Sequence, residues 1–305
     1  MFGLSNYNYE KFSKNALLKD MARSKFGSAP EPGDDAPDFT LRTLDGDKVR
    51  LSDFEDDRNV VLTFGSATCP ATAAAIGGLK DLYAEFGDRV QFLFVYVREA
   101  HPGDELPAHE SMLDKMHAAE LLRDEDDLEI PILLDELSGK VHKKYGGMPN
   151  PSFLIDRSGS ISFRSLSSRY EELRTAIHEL LEIQEERGTD HAIVNDGEDS
   201  SLPPLKTIFH AQRALERGGG SAIDNFREEM GLPGRIALTS SRLARPVVEN
   251  PRTTVASVAA FAGVVGLGLW VGIQLRRKRF ANTPYRIQSG RRVRPKGDDE
   301  YAVGI

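Results

Sequence analysis

Two short apolar runs constrain this chain more than anything else in it: residues 59–64 (NVVLTF) and 90–97 (VQFLFVYV), each too short for a helix. Strands that are apolar on both faces are buried on both faces. They therefore sit in the middle of a parallel sheet with helices packed on each side. The segments around them complete the alternation. Residues 39–43, a turn at Asp45-Gly46 and residues 48–51 read as a hairpin. The first run passes through Gly65-Ser66-Ala67-Thr68-Cys69-Pro70 into a helix over 71–86, and the second leads through a loop with Pro102, Gly103 and Pro107 to a helix near 110–123. A strand over 130–134, a helix to about Tyr145, a hairpin of 152–155 with 161–163 and a last helix over 170–185 follow. This predicts an α/β domain over 33–187, a central mixed sheet flanked by helices.

The order, with a proline-rich turn before the closing hairpin, is a thioredoxin-like pattern. Residues 1–32 read as a polar extension ahead of it. Residues 188–252 read as a connector: an acidic stretch at 195–199, Pro203-Pro204, then two short amphipathic helices. Leu205, Ile208, Phe209 and Leu215 line one face of the first helix, and Ile223, Phe226 and Met230 one face of the second. Gly218-Gly219-Gly220 separates them, and Gly231 with Pro233 stops the second. These helices are expected to pack on the domain or on a membrane surface.

Beyond the connector lies an uncharged run, residues 253–275, that ends at Arg276-Arg277-Lys278-Arg279. At 1.5 Å per residue, 23 residues span ~30 Å, the thickness of a bilayer core, so a single transmembrane helix is expected here. Gly268 and Gly272 within it would permit a helix-paired homodimer. The basic tail 276–305 holds nine basic and three acidic residues, a net of +6 that leaves −14 on the rest of a chain whose total is −8. An acidic body argues against nucleic acid as a partner. On sidedness two signals oppose each other: the basic cluster places the tail in the cytoplasm, whereas the absence of an apolar signal segment at the start and one unpaired thiol place the domain there. The second pair tips the expectation towards a cytoplasmic domain on a single-pass anchor.

The chemistry concentrates at Cys69, the chain's one cysteine. A cysteine where a strand becomes a helix faces the helix's unpaired amides and dipole, which are expected to lower its pKa. Pro70 suits the first helical turn. A dithiol site would carry its second cysteine at Thr72. With a hydroxyl there, the reaction must pass through a sulfenic acid, a sulfenyl halide or a mixed disulfide on one sulfur, cleared by an external thiol. His101, beside Glu99 at a strand end, is the first candidate proton donor, with the carboxylate orienting the ring, and His109 is the second. Ser66 could donate to sulfur. His117 and His142 read as solvated helix residues and 123–127 as a solvated acidic loop. No cofactor motif or metal constellation is present in the sequence.

The stretches Val61-Leu-Thr-Phe-Gly-Ser-Ala-Thr-Cys69-Pro and Phe92-Leu-Phe-Val-Tyr-Val-Arg-Glu-Ala-His101-Pro resemble the iodothyronine deiodinases, redoxins of the thioredoxin-like superfamily. In that family the active loop reads roughly Asn-Phe-Gly-Ser-x-Thr-selenocysteine-Pro, and the next strand ends Tyr-Ile-Glu-Glu-Ala-His. The resemblance covers about 33–175. It implies that Cys69 stands on the selenocysteine, Ser66 and Thr68 on the active loop, and Glu99 and His101 on the strand end. His109 falls on a second histidine. Pro151, or alternatively Pro149, falls on the proline facing the active loop, commonly cis. It implies reduction of a small electrophile, a peroxide, thiol adduct or halogenated compound, with a thiol electron donor. The alternative is a non-catalytic thioredoxin-like module that binds or scaffolds at the membrane. A thiol at a helix N-terminus favours the enzyme.

Overall fold

A computed structural model describes residues 7–26, 29–165, 169–194 and 206–249, all within one compact unit, Met1–Thr253. The sheet has seven strands in the order β2-β1-β5-β4-β3-β6-β7: β1 Thr40–Thr43, β2 Lys48–Arg50, β3 Asn59–Gly65, β4 Val90–Tyr96, β5 Ile132–Leu134, β6 Ser152–Ile155 and β7 Ile161–Ser165. β3, β4 and β5 run parallel, with Val61 beside Phe92 and Phe94 beside Ile132. β6 and β7 turn back antiparallel on one edge and the β1–β2 hairpin on the other. All seven residues of β3 are buried, which is why its sequence lacks the alternation of a half-exposed strand.

Helices cover both faces. On one, α2 (Pro70–Phe86), α3 (Met112–Asp126) and α5 (Tyr170–Arg187) enclose Leu79, Leu82, Phe86, Phe92, Phe94, Leu122, Leu173 and Ile177. On the other, the short α4 (Lys140–Lys144) and the first hairpin enclose Leu62, Phe64, Val95, Tyr145 and Phe153. Each of these fully buried side chains contributes ~1.5–3 kcal/mol of burial free energy. This is the thioredoxin-like fold expected from the element order.

Two regions differ from expectation. Residues 7–26 are not a loose polar extension: Tyr7 and Phe12 are buried, and α1 (Lys14–Phe26) follows. Arg98 is the cause. Its guanidinium lies 4.7 Å from the Tyr7 ring and 4.8 Å from the Tyr9 ring, donates to the Tyr7 carbonyl at 2.8 Å and pairs with Asp20. The connector also departs. Its first helix, α6 (Lys206–Gly218), packs along α2, but the second, α7 (Gly220–Glu249), does not stop at Gly231. Gly231 takes φ 59°, ψ −135°, a kink that glycine adopts without strain, and helix resumes on the far side with Pro233 in its first turn, where a missing N–H costs nothing. The predicted transmembrane run 253–275 and the basic tail lie outside the described residues. Among the described residues no helix is long and apolar enough to cross a membrane.

Candidate active site

The end of β3 and the start of α2 place the thiol. Gly65 closes the strand where a Cβ would stand 2.5 Å from the Phe94 ring and 2.6 Å from Thr72 Oγ1, so only glycine lets the loop pass this close. Cys69 is then the residue capping α2, in extended conformation (φ −89°, ψ 115°), with Pro70 in the first turn. The Cys69 side chain makes no capping hydrogen bond, but the Ala71 and Thr72 N–H groups and the Thr72 hydroxyl act to lower its pKa. Thr72 therefore sits at the sulfur, as its position in the sequence implied. Its hydroxyl also accepts from the Ser66 N–H at 3.4 Å.

The expected low thiol pKa is not what this environment gives. Cys69 is buried, and burial pushes the thiol up, with the Glu99 charge adding to the rise. The amides and hydroxyl at the helix start pull it down by less. The helix terminus is present, but the water that a thiolate also needs is excluded.

Glu99 is the centre of the polar network. It accepts from the Thr68 N–H at 3.0 Å, from the Thr68 hydroxyl at 2.6 Å and from the Tyr96 hydroxyl. His109 Nε2 stands 3.2 Å from its Oε1, an ion-pair distance whose angle lies outside a hydrogen bond. Burial acts to raise the Glu99 pKa, but His109, Thr68 and Tyr96 outweigh it and hold the carboxyl below its ordinary range. The carboxylate thus faces His109, not His101 as sequence proximity suggested. β4 ends at Tyr96, so the alternation that would put residues 99 and 101 on one side has already lapsed. The His101 N–H donates to Thr68 Oγ1 at 3.0 Å, while its ring lies 4.3 Å from Phe12 and 5.4 Å from Phe226, with Nδ1 unpartnered. Burial lowers its pKa to about 3, so the ring is neutral near pH 7.

The remaining expected residues divide between loop and frame. Ser66 Oγ accepts from the Ala100 N–H at 3.3 Å, tying the active loop to the loop after β4. Pro151 stands at the end of β6, its carbonyl accepting from the Phe64 N–H at 3.0 Å, and this selects it over Pro149 as the proline against the active strand. Its peptide bond is trans, not cis. His142, expected in solvent, is buried: the Tyr7 hydroxyl lies 2.8 Å from its Nδ1 and the Met148 carbonyl 2.6 Å from its Nε2. The acidic run at 123–127 is partly paired, with Glu125 and Asp126 binding Arg217 at 2.7 and 2.8 Å. Among the described residues no group of histidine, cysteine and carboxylate side chains is arranged to hold a metal.

Tyr96, Tyr9 and Arg217 belong to the site and were not anticipated. Tyr96 also accepts from the Ala67 N–H at 3.0 Å, and the Tyr9 hydroxyl donates to the Ala100 carbonyl at 3.0 Å. Arg217 donates to the Ala67 carbonyl at 3.3 Å. Gly218 fits so tightly that a Cβ would come within 2.6 Å of the His101 carbonyl. Together with Phe12 and Phe226, these residues roof the site. Cys69, Ser66, Thr68, Glu99, His101 and His109 are all below a tenth exposed.

A thioredoxin-like domain whose solitary cysteine caps the helix after the central strand, without a resolving thiol, is the class that this fold and site define. A family model for iodothyronine deiodinase matches residues 8–182, and the chain belongs to that family. A thyroxine 5-deiodinase of Gallus gallus is 33% identical over 132 residues, covering 40% of this chain and 51% of that protein. A type I iodothyronine deiodinase of Xenopus laevis is 30% identical over 141 residues, covering 43% and 55%. The chain thus spans about half the length of these relatives. Among solved structures, a thiol-disulfide oxidoreductase from Bacteroides fragilis aligns with TM-score 0.38 at 24% identity, over 48% of this chain and 98% of its own.

Proposed function

We propose that this chain is a membrane-tethered, single-cysteine thiol oxidoreductase in which the Cys69 thiolate attacks a small halogenated or peroxidic electrophile. The observation that carries the reading is the sulfur at the first turn of α2, where two N–H groups and the Thr72 hydroxyl act to lower its pKa, beside the Glu99–Thr68–Tyr96–His109 network. The names of the relatives, deiodinases, support a carbon–halogen bond. There, sulfur takes the halogen as a sulfenyl halide and the electron pair of the broken bond stays on carbon, which takes a proton. With a peroxide, sulfur takes a hydroxyl as sulfenic acid and the leaving alkoxide takes the proton. Two equivalents of an external thiol then restore Cys69, leaving as a disulfide and releasing hydrogen halide or water. His109, held at Glu99, is better placed than the aromatic-packed His101 to relay that proton.

Substrate reaches the sulfur only if the roof of residues 7–12 and the α6–α7 corner parts, and parting also readmits the water that ionisation needs. The tether is the uncharged run 253–275, single-pass, with the redox domain on the cytoplasmic side and the paired glycines offering a homodimer contact. The burial of Cys69 and its raised pKa favour, as the second reading, a non-catalytic module. The full chain assayed with dithiothreitol against aryl iodides, aryl bromides and peroxides separates the two. The enzyme reading expects halide release or peroxide consumption that vanishes in Cys69→Ser. No Cys69-dependent turnover of any of them supports the module.

A further inference from the structure

The far half of α7, beyond the kink at Gly231, presents a face that no described residue covers. At 3.6 residues per turn Leu232, Ile236 and Leu243 fall in one stripe, and they are 68%, 58% and 54% exposed. The opposite face is accounted for. Leu238 packs with Phe12, Leu215 and Phe226, and the Ser241 hydroxyl bonds the Gln212 N–H and the Phe209 carbonyl. So α7 is anchored on one side and apolar towards solvent on the other.

Arginines flank the apolar stripe. Arg227, Arg235 and Arg242 line one concavity with Leu238 and Thr239. Arg227 has an acidic partner in Asp224, whereas Arg235 and Arg242 have none among the described residues. No acidic residue occurs from 231 to 248, in a chain whose net charge is −8. A helix with leucine and isoleucine on one face and unpaired guanidinium groups beside them has the chemistry of an interfacial helix: the apolar groups enter the acyl boundary and the arginines meet lipid phosphates.

We propose that the Leu232–Leu243 face of α7 lies on an anionic lipid surface. The choice of occupant rests on charge complementarity and on the proposed reading of 253–275 as a membrane span, which begins ten residues after Leu243 in the sequence. Arg235 and Arg242 hold headgroup phosphates, and the stripe buries below them.

The test uses the full chain carrying an environment-sensitive NBD label on Ile236→Cys in a Cys69→Ser background, with nitroxide-bearing phosphatidylcholine vesicles, with and without phosphatidylserine. The same label on Glu182→Cys in α5 reports contact by another face. The label at 236 should be quenched on phosphatidylserine vesicles while that at 182 is not. Arg235→Glu with Arg242→Glu should weaken the contact by at least about thirtyfold. Quenching at 236 in a chain that high salt strips from the vesicles supports this surface and refutes the span. A chain retained in high salt with the 236 label still in water overturns this surface and leaves the span standing. Equal quenching at 182 and 236, or no association with either vesicle, overturns the proposal.

Discussion

The strand-to-helix turn that bears Cys69 and the roof that covers it are built on different principles. The turn is part of the sheet: β3 pairs on both sides, and Gly65 is fixed by contacts that leave no room for a Cβ. The roof is assembled from segments before and after the sheet, residues 7–12 and the α6–α7 corner. The segment around Tyr7–Phe12 is pinned by Arg98, and the α6–α7 corner by Arg217 on Glu125 and Asp126. The comparison teaches where the reactivity is controlled. The helix start supplies what a thiolate needs electrically, and the roof withholds what it needs from solvent, so a cysteine in an activating position has a raised pKa.

Breaking the turn should have the largest effects. Cys69→Ser should reduce thiol-dependent turnover to background in a halide-release or peroxide assay, with an unchanged far-ultraviolet circular dichroism spectrum. His109→Ala should lower turnover by ~10²–10⁴-fold and His101→Phe much less. The reverse order would return the proton to His101. In the sheet beneath, Leu62→Ala, fully buried, should cost ~2–5 kcal/mol in urea unfolding and leave the pH dependence of alkylation in the remaining folded protein unaltered.

Acid should act on the roof and the frame together. His101 and His142 have pKa values lowered to about 3 by burial, below the ~6.5 of an exposed imidazole, so the unfolded chain binds more protons between those limits. Stability therefore falls as pH drops below about 6.5, by up to ~1.4 kcal/mol per unit for each ring. Glu99, whose pKa is lowered, adds a loss in the same direction once its unfolded value near ~4.3 is passed. The urea midpoint between pH 7 and pH 5 measures the two rings, and His101→Phe should remove part of the change. A midpoint independent of pH over that range would show both rings to be solvated.

The sheet was readable because its signal is local. Residues 59–65 and 90–96 are apolar in succession, and the Gly-Ser-Ala-Thr-Cys-Pro turn between strand and helix needs no distant partner. Some of the differences come from a partner far along the chain, others from where an element ends or bends. His142 is buried because Tyr7, 135 residues earlier, comes to its ring. α1 holds six apolar residues among thirteen, but they form no clear stripe along the helix, and its Asp20 pairs with the distant Arg98. Glu99 and His101 part company because β4 ends at Tyr96, whose hydroxyl donates to Glu99 from within a buried strand. The connector's second helix was ended at a glycine and proline that the fold uses as a kink.

The roof, not the helix start, holds the thiol back. The rate of Cys69 alkylation by iodoacetamide against pH, in the wild type and in Phe226→Ala, tests it most directly. Phe226 packs on His101 and Phe12. The wild type should react slowly with an apparent pKa above the ~8.5 of free cysteine. Phe226→Ala should react at least about tenfold faster, with its apparent pKa moved below that value as water reaches a sulfur already facing amides. Identical rates and a raised pKa in both proteins would contradict the account and leave Cys69 as an inert buried residue.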